Sequence, residues 1–325
     1  MRWKQLRRSL REPFVVLVLA WSRSLVGCLP YRALPRFARM LALALRCVPS
    51  FRKLTLANLA VAFPEKSRAE RRRIWRENCA HLALTFLEFL WFDRHPERLK
   101  TLVDVSAPEA QDVLRRGRAG PGMIFLTPHL GNWEVSGQIL AMHGVPFAAV
   151  AAPVKSRFVA AIMTRARTFS GMELIPEEGA VRGIVQAVRA GRSIGVLMDQ
   201  NTSPRKGGIF VPFFALPAAT SRAPAALARR LRLEICPGML VREEGRLRLL
   251  IATMPKATAA YASDEELTRD LMAVNEQLIR RHPEQYVWFY KRWRYVPADV
   301  PAELRLRFPY YAQPYAPSPS PARQG

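Results

Sequence analysis

Acidic residues are scarce in this chain. It carries 26 Asp plus Glu against 50 Lys plus Arg over 325 residues, a formal net charge of +24. An excess of that size draws polyanions, whether nucleic acid, anionic lipid or an acidic protein. Cysteine is also sparse: Cys28, Cys47, Cys79 and Cys236 are scattered with no C-x-x-C pair, which argues against a zinc cage or a disulfide framework and fits a reducing compartment. The five histidines (His81, His95, His129, His143 and His282) show no metal-ligand spacing, so neither a metal nor a cofactor is expected. No G-x-S-x-G nucleophile elbow occurs, and Ser136 sits in plain helical context. Helix-turn-helix, zinc-finger and RNA-binding signatures are lacking too, which sets nucleic acid aside as the polyanion. A long unbroken apolar run is missing as well: Glu12 to Pro30 is apolar in the main but is broken by Ser22, Arg23 and Ser24, where a clean membrane span wants roughly 20 apolar residues in succession.

What is present is apolar bulk, at 50% of residues, enough to bury a substantial core. The first sixty residues hold twelve Lys/Arg and one acid, Glu12, among Leu, Val, Phe and Trp. Residues 12–30 therefore read as a retained N-terminal membrane anchor, either spanning or lying in the interface, preceded by Arg2, Lys4, Arg7, Arg8 and Arg11. Residues 1–100 read as helical throughout, with Ser67 as a cap signal before the amphipathic stretch Lys66 to Phe92 and Pro96 as its end.

The texture changes near residue 121. Gly122–Thr127, Phe147–Ala152, Met172–Pro176 and Ser193–Met198 are short apolar runs, separated by helical patterns over Glu134–His143, Arg157–Phe169 and Glu178–Ala190. Two more strands near Leu233–Arg242 and Arg246–Thr253 precede a helix over Asp264–Arg281. Such alternation predicts an α/β fold, a mixed, largely parallel sheet flanked by helices, preceded by an all-helical membrane-associated region. The expected division is a helical region 1–100, an α/β catalytic domain 101–297 and a Pro-rich tail 298–325.

In open α/β sheets reactive groups gather beyond the carboxyl ends of the strands. His129 stands two residues past one predicted strand, and Asp199 directly follows another. Within "LTPHLGNWE" (Leu126 to Glu134), residues five apart do not share a helix face. With His129 in a loop, Gly131 bending the chain and Glu134 in the first helical turn, the carboxylate is able to reach one imidazole nitrogen and leave the other as a general base. The plain alternative is a surface histidine near a helix N-terminal acid. With no protein nucleophile in evidence, the nucleophile becomes the substrate's own hydroxyl.

"HLGNWE" (His129 to Glu134) resembles the H-x4-D/E block of the glycerolipid acyltransferase superfamily, and its setting resembles the lipid A biosynthesis late acyltransferases, the lauroyl/myristoyl transferase family. The likeness runs from about Val16 to Val296. It includes "LANLAVAFPEKSRAERRRIWREN", "APVKSRFVAAIMTRARTFSGMELIP", "LMDQN" with "GGIFVPFFALPAATSRAPAALARR", and the terminal "PEQYVWFYKRWR". Departures are Ser156-Arg157 in place of Asn-Pro, Ala215 in place of Gly after "PFF", Tyr290 where His is frequent, and Arg294 where Lys is.

The resemblance implies an O-acyltransferase with His129 as base and Glu134 as its partner. It implies Arg165, with Arg167 as the near alternative, at the second-block arginine that binds an acceptor phosphate or the developing oxyanion. Asp199 matches the third-block acid, with a pocket role or a capping role open to it. Implied partners are acyl carrier protein as donor and an anionic membrane glycolipid, such as a lipid A precursor, as acceptor, at the cytoplasmic face of the inner membrane. The rival expectation is an acyl-CoA-dependent enzyme acting on another lipid of the phosphatidylinositol mannoside kind.

Overall fold

The computed structural model describes residues 21–154 and 156–315. Most of the expected anchor, residues 12–20, and the end of the tail lie outside them. Among the described residues no helix is long and apolar enough to cross a membrane.

From residue 21 to residue 102 the chain is mainly helical. α1 (residues 21–27) is followed by α2 (Leu34–Arg46), α3 (Pro49–Ala62), α4 (Arg68–Arg94) and α5 (Pro96–Leu102). α4 starts where a capping box starts it: Ser67 Oγ accepts from the Glu70 amide at 3.2 Å, and Glu70 Oε2 accepts from the Ser67 amide at 2.7 Å. It ends one residue before His95, since Pro96 cannot continue the hydrogen-bond ladder and instead opens α5. α2 packs Leu34, Ala38 and Ala42 inward at helical spacing, while Phe37, Met40, Leu41 and Leu43 stay exposed beside the exposed Arg36 and Arg39.

After α6 (Pro108–Ala119) the strand–helix alternation begins: β2 (Ile124–Thr127), α7 (Trp133–Met142), β3 (Phe147–Ala151), α8 (Arg157–Thr168), β4 (Glu173–Pro176), α9 (Ala180–Arg189) and β5 (Ser193–Leu197). A hairpin of β6 (Gly208–Phe213) and β7 (Leu216–Ser221), then α10 (Ala223–Leu231), leads to β8 (Ile235–Glu243), β9 (Arg246–Ile251) and α11 (Asp264–Arg281). With the two-residue β1 (Val103–Asp104), seven strands form one sheet in the order β1-β9-β8-β2-β5-β3-β4. Every neighbouring pair is parallel except β8 with β9. Two apolar clusters cover the two faces, and each joins residues of α4 to residues of the sheet: Trp75 and Cys79 with Ile124 and Ile194 on one side, Phe89 and Phe92 with Phe125 and Phe147 on the other. The helical N-terminal part is thus built into the same cores as the sheet.

Candidate functional site

The site lies at the carboxyl end of β2 and β5. Parallel register pairs Thr127 with Leu197, so two residues further on His129 meets Asp199. His129 Nδ1 is 2.7 Å from Asp199 Oδ1, and the His129 amide donates to Oδ2 at 2.9 Å. Both carboxylate oxygens are therefore committed to one residue, with the ring nitrogen and the backbone held together. An ionised carboxylate only accepts, so Nδ1 carries the proton and Nε2 is left with its lone pair. Nε2 faces the open side of the site, where the exposed Gln200 places its Nε2 3.3 Å away.

Asp199 is 2% exposed. Burial raises its carboxyl pKa, but the His129 ring and amide, with Arg292 nearby, reverse that and leave it below the usual carboxylate value. For His129, burial disfavours the imidazolium; the charge and hydrogen bond of Asp199, with Glu134 adding its charge, outweigh burial and raise the pKa above 6.5. Beneath Asp199 lies the buried Tyr286, whose hydroxyl pKa is held well up by burial and by the Asp199 charge. Arg292, also buried, is fixed by the Ala219 carbonyl at 2.7 Å and by Asn201 Oδ1 at 3.1 Å. The terminal block of the sequence thus supports the acid that supports the histidine.

The loop from Pro128 to Asn132 is tied down at nearly every peptide. Val287 N–H donates to the His129 carbonyl at 3.0 Å, Gly131 N–H to the Gln285 carbonyl at 3.0 Å, and Asn132 N–H to the Leu240 carbonyl at 2.7 Å. Gly131 adopts φ +64°, and a Cβ there would sit 2.0 Å from the Leu240 oxygen, so only glycine fits. His81 Nε2 donates to the Gly131 carbonyl at 3.1 Å. Burial keeps His81 neutral, with its pKa pulled down to about 4. The Asn132 side-chain Nδ2 donates at 2.9 Å to Glu88 Oε2; Glu88 is 1% exposed, is paired with Arg242 and accepts from the Tyr31 hydroxyl at 2.6 Å. This chain of contacts ties α4 and the Tyr31 segment to the histidine loop.

The expected pairing of His129 with Glu134 is not the one in the structure. Glu134 takes a two-pronged ion pair from Arg167, Nε to Oε2 at 3.0 Å and Nη2 to Oε1 at 2.9 Å; it reaches His129 through charge, not through a hydrogen bond. Strand register brings Asp199 to Nδ1 first, and α7 turns Glu134 toward α8. Arg165 and Arg167, the two arginines named from sequence, are placed differently. Two residues apart on α8, they point to opposite sides: Arg167 lines the cavity described next, whereas the Arg165 side chain is 71% exposed with its nearest acid, Asp93, 3.8 Å away. Gln200, Tyr286, Glu88 and Arg242 were not singled out from sequence, although Tyr286 and Gln285 lie in the quoted terminal block and Gln200 follows Asp199 directly.

A cavity of about 420 Å³ opens beside His129. Its mouth carries His129, Trp133, Glu134, Arg167 and Gln200, and below them the lining becomes apolar, with Phe125, Leu140, Phe147, Met172, Leu174 and Leu249. A base with a free lone pair and a fixed cation at the mouth of a greasy slot suit a proton-removing step on a molecule with an alkyl tail. Among the described residues no group of three or more His, Cys, Asp or Glu is placed to hold a metal ion.

Residues 2–295 match the family model described as bacterial lipid A biosynthesis acyltransferase. The chain is similar to the lipid A biosynthesis lauroyltransferase of Escherichia coli (strain K12), at 27% identity over 285 residues, covering 86% of this chain and 90% of the relative. It is similar to the myristoyltransferase of the same strain at 28% identity over 284 residues, covering 86% and 83% of the two chains. The palmitoleoyltransferase of that strain matches at 27% over 242 residues, covering 73% and 76%. The chain belongs to the bacterial lipid A biosynthesis acyltransferase family, a family of O-acyltransferases.

Proposed function

We propose that the chain moves a fatty acyl group from a thioester on acyl carrier protein to a free hydroxyl of a lipid A precursor, with His129 as general base. The observation that carries this reading is the His129–Asp199 pair at the mouth of an apolar cavity. The acyl tail lies in the cavity, and the thioester carbonyl rests beside His129. The acceptor hydroxyl displaces the Gln200 amide from Nε2 and gives that nitrogen its proton as the new C–O bond forms. Arg167, which spends two N–H groups on Glu134 and keeps three, supplies donors for the tetrahedral oxyanion. Collapse breaks the C–S bond, and the departing thiolate takes the proton from the imidazolium. Asp199 and Glu134 stabilise that imidazolium by charge.

The membrane assignment, at the cytoplasmic face of the inner membrane, rests on the exposed apolar side chains Trp21, Leu25, Phe37, Met40, Leu41 and Leu43, interleaved with the exposed Arg32, Arg36 and Arg39. Cationic side chains beside an anionic leaflet contribute about 1 kcal/mol each. The same positive charge suits an acidic carrier protein. The test is purified protein given a lipid A precursor with either carrier-protein or CoA thioesters, with mass spectrometry of the lipid product. Transfer from the carrier-protein thioester supports the reading; transfer from CoA alone, to another lipid, favours the phosphatidylinositol mannoside-like alternative.

A further inference from the structure

The depth of the cavity sets a limit on what fills it, an inference that rests on the acyltransferase reading above. The slot runs down one face of the sheet, and strand register measures it. Thr127 pairs with Leu197 and Phe125 with Gly195; Gly195 also pairs with Ala149, and Phe147 with Ser193. Along β3 the lining residues step from Ala151 through Ala149 to Phe147. Phe147 is therefore the lowest rung, and its ring reaches up to the Gly195 and Phe125 rung, two residues below Ala151; measured from His129, four residues beyond Phe125, the ring lies at most about 13 Å down. α7 forms the opposite wall through Gly137 and Leu140.

Phe147 is 2% exposed, and its ring fills the gap between that helix and the sheet. A Cβ at Gly137 would come 2.8 Å from Phe147 Cε1 and 2.8 Å from Met172 Sδ; a Cβ at Gly195 would come 2.9 Å from Cε1 and 3.0 Å from Cζ of the same ring. Phe125 stands against it with ring centroids 5.5 Å apart. Two residues without side chains thus make room for one ring, which closes the slot from below and has no lateral space to move into.

We infer that the Phe147 ring, seated between Gly137 and Gly195 and backed by Met172, is the floor that limits the acyl chain. With C–C bonds near 1.5 Å in a zig-zag, about 13 Å takes on the order of ten carbons, so the slot suits a decanoyl to lauroyl chain. Longer chains meet the ring. Replacing Phe147 by a smaller apolar residue extends the slot, and adding a methyl at Gly195, one rung nearer the mouth and against the ring, shortens it.

The test has two readouts. In the first, free saturated fatty acids from octanoic to palmitic bind to the purified full chain, followed by calorimetry. Affinity rises about fourfold per added methylene while the tail descends, then stops rising at about ten to twelve carbons where it meets the ring. In Phe147→Leu the plateau moves to longer chains, and in Gly195→Ala to shorter ones. In the second, a ladder of carrier-protein thioesters gives the chain-length optimum for transfer, and it shifts in the same two directions. A plateau and optimum that stay put in a folded Phe147→Leu protein overturn the inference, as does wild-type affinity that climbs unbroken to palmitic acid. Chain-length-dependent binding without any transfer retains the floor and tells against the acyltransferase reading instead, so the two failures are distinct.

Discussion

Acid should loosen the histidine loop through His81. This residue donates to the Gly131 carbonyl, accompanies Thr85 Oγ1 at 3.2 Å, and is held neutral by burial with Arg242 and His282 adding repulsion. Its pKa falls from 6.5 in the open chain to about 4 in the fold. The unfolded chain therefore takes up the proton first as pH drops. Stability is complete above about 6.5 and drains away as pH falls toward 4, below which the slope from this residue vanishes. A gap of about 2.5 units corresponds to ~3 kcal/mol, a large share of the 5–15 kcal/mol typical of a folded protein. Urea unfolding in detergent, followed by tryptophan fluorescence near neutrality and again near the lower end of that window, measures the loss. His81→Gln keeps an N–H for Gly131 and removes the titration. The wild type should lose about 2–3 kcal/mol more than the variant between the two conditions. Equal losses would refute the reasoning, because then other groups carry the acid sensitivity.

Three further outcomes follow from the geometry. Gly131→Ala forces a Cβ onto the Leu240 carbonyl at a φ of +64° and should cost about 3 kcal/mol or more, read as a lower melting temperature with loss of activity. Ala215→Gly should stabilise by ~0.5–1 kcal/mol, since Phe214 and Ala215 form the β6–β7 turn at φ 51° and 60°, where glycine has no steric penalty; the check is an increase in midpoint denaturant concentration. Arg167→Lys keeps the charge but loses the two-pronged grip on Glu134 and should lower kcat by roughly 10²-fold, with steady-state kinetics as the measure.

Much of the architecture was legible because local signals agreed with the global fold. The Ser67 cap, the helix Asp264–Arg281 and the strands at residues 124, 147, 173, 193, 235 and 246 all stand within about two residues of where periodicity and turn residues put them. The hairpin over residues 208–221 did not show itself. Pro212 and Pro217 face each other across it, and its turn is Phe214-Ala215 rather than an Asn-Gly pair, so both usual strand signals were muted. At the site, His129, Glu134 and Arg167, all named from sequence, line one cavity, and Asp199, also named, is buried behind His129. Their pairing was harder to read. Glu134, five residues from His129, looked nearer than Asp199, seventy residues away, and only the register of β2 against β5 reverses that order. The tying of Glu88 to Asn132 and the placing of Tyr286 beside Asp199 depend on elements far apart in the chain, and no spacing rule reports them.

The central claim is that His129, poised by Asp199, removes the proton from the acceptor hydroxyl. The pH dependence of kcat/KM, which reports the free enzyme's base, tests it most directly. Wild type should show an acid limb above 6.5, since Asp199 outweighs burial in raising the His129 pKa, and Asp199→Asn should move that limb to lower pH while lowering the rate. His129→Ala should abolish the limb and cut turnover by roughly 10²–10⁴-fold with the fold intact. A His129→Ala protein that keeps the wild-type rate and the same acid limb would contradict the account.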